Sequence, residues 1–154
     1  MYGTTALDPV IKAFDDHWHD LRGDRDIPLF ADFRISKVPR KSIPYLCFLD
    51  VEYNPRRYKY RLIGTSIQAA YGADLKGKYI EDMEVVTEGK LAEFTGDLNL
   101  TVDQRTIARR IDSYELPDGS RYSFEGAIYP FMDKDSMVTH VISVVANLRN
   151  GVRY

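Results

Sequence analysis

The ten residues Met137 to Ala146 (Met-Val-Thr-His-Val-Ile-Ser-Val-Val-Ala) are apolar at both parities. A strand with one face in water alternates, whereas a non-alternating β-branched run this short is central in its sheet or heavily covered. The chain therefore needs other strands to flank this one and other elements to cover it. Two hairpins supply the strands. Tyr45 to Val51 reads as a buried strand, Tyr53-Asn54-Pro55-Arg56 as a turn and Tyr58 to Ile63 as the partner. Thr106 to Leu116 and Arg121 to Met132 flank Pro117-Asp118-Gly119-Ser120, and Asp133-Lys134-Asp135-Ser136 turns the chain into the last strand.

The covering elements have helical period. Asp8-Pro9 supplies an N-cap and a favoured first helical residue, and Gly23 a stop. Between them Leu7, Ile11, Phe14, Trp18 and Leu21 recur at intervals of 4, 3, 4 and 3. That spacing suits packing on the domain or dimerisation with a second copy of the helix. Asp15, Asp16, His19 and Asp20 read as its solvated face. A short helix is expected from Gly64, with Thr65 as cap, Gln68 closing a capping box and Gly72 as stop. Tyr79 to Met83 is a further helical piece, and Val86 to Leu100 carries the stripe Leu91, Phe94, Leu98. The organisation is then an amphipathic helix (1–23), a connector (24–44) with a short apolar stretch at Leu29-Phe30, and a domain (45–148). The fold class is α+β, an antiparallel five-stranded sheet in the order β-β-α-α-α-β-β-β with helices laid over one face.

This order resembles a PAS domain, in particular the small bacterial single-domain group classed as PAS_5-like. The likeness is carried by Trp18 with Leu21-Arg22-Gly23, by Ile27-Pro28, Pro44-Tyr45-Leu46 and Leu49-Asp50-Val51. Tyr60-Arg61-Leu62-Ile63-Gly64-Thr65, the run from Tyr71 to Lys78, and Tyr129-Pro130-Phe131 complete it. The resemblance implies a sensory or ligand-binding module with a cavity between sheet and helices, and does not name a ligand. Flavin-binding light sensors of this fold carry Asn-Cys-Arg-Phe over the pocket; here the segment is Ala69-Ala70-Tyr71-Gly72, and the single cysteine, Cys47, lies in the first strand. A flavin–thiol adduct is not expected. Nor is haem, since no histidine lies between Val86 and Leu100. The cofactor is left unknown.

Candidate ligand contacts follow from an inventory of 11 Tyr, 7 Phe and 1 Trp, since cavities are built from aromatic walls with a few polar tips. Ile67, Ala70, Tyr71, Leu91, Phe94 and Leu98 would roof such a cavity, and Phe48, Tyr60 and Phe124, taken as one strand parity, would floor it. His140 and Arg61 are the polar candidates, Arg61 for an anion with Asp50 or Asp74 as its structural alternative. Arg109 and Arg110 must point to opposite faces of their strand. Asp16, His19 and Asp20 have a spacing that ligates metals but too few oxygens for a hard cation.

Other function classes are constrained by absence of signal. A net charge of −2 argues against nucleic acid, although Arg34, Lys37, Arg40 and Lys41, then Arg56, Arg57, Lys59 and Arg61, then Arg105, Arg109 and Arg110 form local basic clusters. The first residues lack a basic stretch before an apolar one, and no apolar run reaches membrane-spanning length, so a cytoplasmic location is expected. Neither a Gly-x-Ser-x-Gly elbow nor a phosphate-cradling glycine loop occurs. The expectation is a non-enzymatic sensory module in bacterial signal transduction, dimeric, with a small-molecule ligand or a signalling protein as partner. Its rivals are a small enzyme with His140 or an aspartate as base, and a basic-patch binder using Arg56 and Arg57.

Overall fold

The structure is a computed structural model that describes residues 7–71, 74–82, 90–115, 119 and 121–147. Its helices are α1 (Pro9–Arg22), α2 (Thr65–Tyr71) and α3 (Lys90–Gln104); its strands are β1 (Leu46–Glu52), β2 (Arg57–Ile63), β3 (Ala108–Glu115), β4 (Arg121–Met132) and β5 (Val138–Ala146). Single 3₁₀ turns occupy Phe30–Asp32, Ile35–Lys37, Ile43–Tyr45 and Ile80–Asp82. The five strands form one antiparallel sheet in the order β2-β1-β5-β4-β3. β5 is central, as its apolar sequence requires, and Val141, Ile142, Val144 and Val145 are all buried.

Both faces of that sheet are covered. Adjacent residues of β3 prove it: Arg109 reaches Asp15 of α1, while Arg110 reaches Asp97 of α3. α3 lies on β3, β4 and β5 on one side, and α1 lies on β4 and β5 on the other. The expected single helical layer is therefore supplemented by a second, built from α1 and the connector. Docking of α1 shows one use of its stripe. Ile11, Phe14 and Trp18 are buried in the chain's own core, with Leu7 and Leu21 half-buried against it, so the stripe packs on the domain. Phe14 meets Tyr129 edge-on at 5.0 Å, and the Trp18 indole donates to the Pro130 carbonyl at 3.0 Å. At the entry to α1 the Asp8 carboxylate accepts from the Val10 N–H at 2.9 Å.

Two expectations shift. Thr65 is the first helical residue of α2, because the Gln68 N–H bonds to the Gly64 carbonyl; Gly64, not Thr65, stands at the cap. α3 runs to Gln104, past the expected end at Leu100, since no Gly or Pro interrupts Thr101–Gln104 and the chain turns only at Arg105, with φ of 53°. The expected Gly72 stop, the residues 86–89 and most of the Pro117–Ser120 turn lie outside the described residues.

Gly64 stands where no side chain fits. Its N–H bonds to the Leu46 carbonyl at 2.7 Å, and a Cβ built on it would sit 2.3 Å from the Pro44 carbonyl oxygen. Backbone is on both sides of that contact, so it cannot relax by a rotamer change. Gly64→Ala is expected to lower the unfolding free energy by about 1–3 kcal/mol through overpacking. Gly96→Ala, in open space on α3, is expected to raise it by up to about 1 kcal/mol. Urea denaturation of the two variants checks the contrast.

Candidate functional site

A one-residue slip in pairing builds the site. Along β1, Phe48 pairs with Leu62 and the next residue, Leu49, pairs with Tyr60, which leaves Arg61 as an extra residue in β2. Strict alternation would send Arg61 and Leu62 to opposite faces. The bulge instead brings both to the face that carries Phe48 and sends Tyr60 to the other. Arg61 Nε then donates to Asp50 Oδ1 at 2.9 Å, and its guanidinium stands 5.9 Å from the Phe48 ring centre.

The connector closes over this face. The Met132 N–H bonds to the Pro28 carbonyl and Leu29 pairs with Met132, so the connector runs beside the end of β4 with Ile27 fully buried. Two of its phenylalanines then reach the sheet. Phe30 stacks on His140 with ring centres 3.6 Å apart, and meets Phe48 edge-on at 5.4 Å. Phe33 packs against Phe48 at 5.6 Å and Phe131 at 5.3 Å. Between connector and strands lies a cavity of about 380 Å³, within the range of small-molecule sites. Its floor is Phe30, Phe33 and Phe48, its mouth the partly exposed Ile35 and Leu62, and its charged lining Arg34, Arg61 and Lys76.

His140 anchors the wall behind it. Its Nε2 lies 3.2 Å from Asp50 Oδ1 and its Nδ1 2.8 Å from the Thr139 hydroxyl. A neutral ring satisfies both: Nε2–H donates to the carboxylate, and the Thr139 O–H donates to Nδ1. Thr139 is placed for this by a second register shift, since Phe131 pairs with His140 while Met132 pairs with Val138. Burial pushes the imidazole down to about 4; Asp50 opposes the shift and Arg61 adds to it.

The eight residues expected to form one pocket thus divide between the two faces. Phe48, Arg61 and His140 meet on the connector side, while Tyr60 and Phe124 belong to the α3 side, with Phe94 buried on α3 itself. Phe48 therefore cannot share a floor with Tyr60 and Phe124, because the β1–β2 register gives Phe48 the opposite parity. Ile67 is buried on α2, which packs against the Ile43–Tyr45 turn, and the Tyr71 side chain lies outside the described residues. On the α3 side the Tyr58 hydroxyl bonds to Asn99 Oδ1 and Arg110 holds Asp97 through two contacts of 2.7 and 2.9 Å. Sequence reading missed Phe30, Phe33, Arg34, Ile35, Leu62 and Lys76 as site residues. Four of them lie in the stretch assigned as connector, where the Leu29-Phe30 pair and the Arg34 cluster were the available signal.

The remaining candidates have structural partners. Asp15, read as solvated, is buried: it accepts from the Tyr129 hydroxyl at 2.9 Å and Arg109 at 2.8 Å, with His19 at 3.4 Å. Asp16 pairs with Lys12. Arg56, Arg57 and Arg105 pair with Asp103, Asp82 and Asp26, which breaks up two of the basic clusters. Cys47 is buried, and burial pushes its thiol up to about 12, out of reach of a nucleophilic role. Among the described residues no three His, Cys, Asp or Glu gather as a metal site, and no helix is long and apolar enough to cross a membrane.

Two predictions concern these contacts. Asp15→Ala leaves the buried Tyr129 hydroxyl and Arg109 unpartnered, and is expected to cost about 2–3 kcal/mol, with Asp15→Asn costing less; urea denaturation measures both. For His140 the unfolded imidazole takes a proton near 6.5 and the folded one only near 4. Its stabilising contribution is therefore complete above pH 6.5 and is lost as pH falls towards 4. His140→Phe should flatten that part of the stability–pH curve by up to about 3 kcal/mol. His17, whose imidazole burial also pushes down, keeps its own share of the slope.

A family model described as a PAS domain matches residues 8–142. Among solved structures, Vibrio cholerae VqmA in a ligand–DNA complex superposes with a TM-score of 0.53 at 13% identity, over 75% of this chain and 51% of that one. The VqmA dimer without target DNA gives 0.53 at 14%, over 76% and 53%. A light-oxygen-voltage domain studied with a flavin analogue gives 0.53 at 11%, over 77% and 87%. The chain spans about half the length of the VqmA chains, and identities this low speak for the fold alone. No curated protein matches the chain.

Proposed function

The chain belongs to the PAS domain family, and from that premise we propose that it is a non-enzymatic sensory module that binds a small molecule in the cavity between its connector and the β1–β2 edge. The cavity itself carries this reading: about 380 Å³, with an aromatic floor and cationic lining. Three chain segments meet there, namely the connector, the bulged hairpin and the loop after α2 that bears Lys76. A molecule bound between them holds the connector to the sheet, and through the connector bears on α1. Occupancy is thereby converted into the firmness with which the N-terminal layer sits on the domain, a change that a partner protein can read. The non-enzymatic part rests on the held state of the reactive groups: both nitrogens of His140 are engaged and Cys47 is a buried thiol.

The test is native mass spectrometry of the protein purified from its own cells, beside the variant Leu62→Trp, whose indole fills the cavity mouth. The expected outcome is a small-molecule mass on the parent chain, released on denaturation, and its loss from a folded Leu62→Trp. Undiminished retention by that variant would move the ligand to the α3 side, where Tyr60, Phe94 and Phe124 are buried.

A further inference from the structure

The charge balance of the cavity points to the kind of molecule it accepts, an inference that rests on the connector-side site proposed above. Three of its lining residues are cations; the rest are phenylalanine, isoleucine and leucine. Among the described residues no acid and no neutral hydrogen-bonding side chain lines it. Asp50, behind Arg61, is the one carboxylate paired with any of the three cations among the described residues. Arg34 is bound instead to the backbone carbonyls of Ala31 and Phe33, at 2.7 and 2.9 Å. Those bonds fix its guanidinium at the rim without compensating its charge. Lys76 has no carboxylate partner among the described residues; the Asp74 carboxylate beside it accepts from the Lys76 backbone N–H.

We propose that this cavity binds an apolar monocarboxylate, its aromatic or aliphatic body on Phe30, Phe33 and Phe48 and its carboxylate among Arg61, Arg34 and Lys76. Two physical arguments set that class. Arg34, Arg61 and Lys76 stand exposed at the rim of an apolar wall, so a carboxylate meets their charge while its apolar body leaves water against the rings. A sugar or other neutral polar molecule, by contrast, would find donors in the three cations but no side-chain acceptor for its hydroxyl hydrogens among the described lining residues. A cationic ligand meets three like charges. The volume holds one ring system or a medium-length chain, and the lining leaves no apolar-free region for a polyphosphate.

The test titrates the 154-residue chain calorimetrically at low salt with two matched pairs, 2-naphthoate against 2-naphthamide and octanoate against octanamide. Each pair shares one body and differs in charge. At least one carboxylate is expected to bind tenfold or more tightly than its amide, with the preference shrinking as salt rises. Arg34→Gln and Lys76→Gln, both exposed and outside the folded core, are each expected to weaken that carboxylate three- to tenfold and leave its amide unchanged. Amides that bind as well as carboxylates, or carboxylate affinity unmoved in both variants, would overturn the charge assignment while leaving the cavity a binding site. Failure of all four probes, together with a parent chain that carries no small molecule from its own cells, would instead overturn the site itself.

Discussion

Everything in this molecule follows from a central strand that has no solvent side. β5 buries Val141, Val145 and Ser143 on one face and Ile142 and Val144 on the other. Burying a valine or isoleucine side chain is worth about 1.5–3 kcal/mol, and the gain requires cover on whichever side the residue points. α3 supplies that cover on one face. On the other it comes from α1 and the connector, which lie before the first strand in sequence yet complete the core. An N-terminal segment that caps a sheet in this way is part of the domain energetically, whatever its position in the chain.

The manner of attachment differs between the two covers. α1 is held by apolar contact and by one buried carboxylate: Asp15 stands among Tyr129, Arg109 and His19, and burial, with that carboxylate beside it, drives the Tyr129 hydroxyl pKa upward. Burying a charge is costly unless each lone pair has a donor, so such a contact tolerates little displacement. The connector is tied at its start by the Pro28–Met132 backbone bond and the Asp26–Arg105 pair, and beyond them it is held by rings. Phe30 and Phe33 reach His140, Phe48 and Phe131 through dispersion, which falls off gradually and admits alternative packings. A cavity beside the aromatic seam, on the connector and not on the Asp15 cluster, therefore sits against the more yielding part of the N-terminal layer.

Periodicity made most of the fold legible. The stripe of α1 follows from its 3.6-residue spacing, and the strands and hairpins from β-branched and aromatic runs bounded by turn residues. Arg109 and Arg110 could be assigned to opposite faces because strand side chains alternate, and each meets a carboxylate on its side. Asp15 was not legible, since a carboxylate flanking an apolar stripe looks solvated until Arg109, 94 residues away in sequence, is brought to it. The site was half legible. Phe48 and Arg61 line the cavity and His140 stands behind it, whereas Tyr60 was assigned to the floor of Phe48 by assuming unbroken alternation in β2, and Phe124 stands on the α3 face by its pairing with Asp112.

That assumption failed at one residue, and the failure is what makes the site. Without the bulge, Arg61 and Leu62 would project to opposite sides of β2 and only one of them could line a cavity. With it, a cation and an apolar side chain stand next to each other on the same face, beside Phe48. Nothing in Tyr60-Arg61-Leu62-Ile63 announces an unpaired residue; the slip is set by β1, which pairs with β5 along one edge and must meet β2 along the other. Register in a sheet is a property of the neighbours. The combination of charge and apolar surface from which this cavity draws its chemistry is in that sense written in the pairing of three strands, not in any one of them.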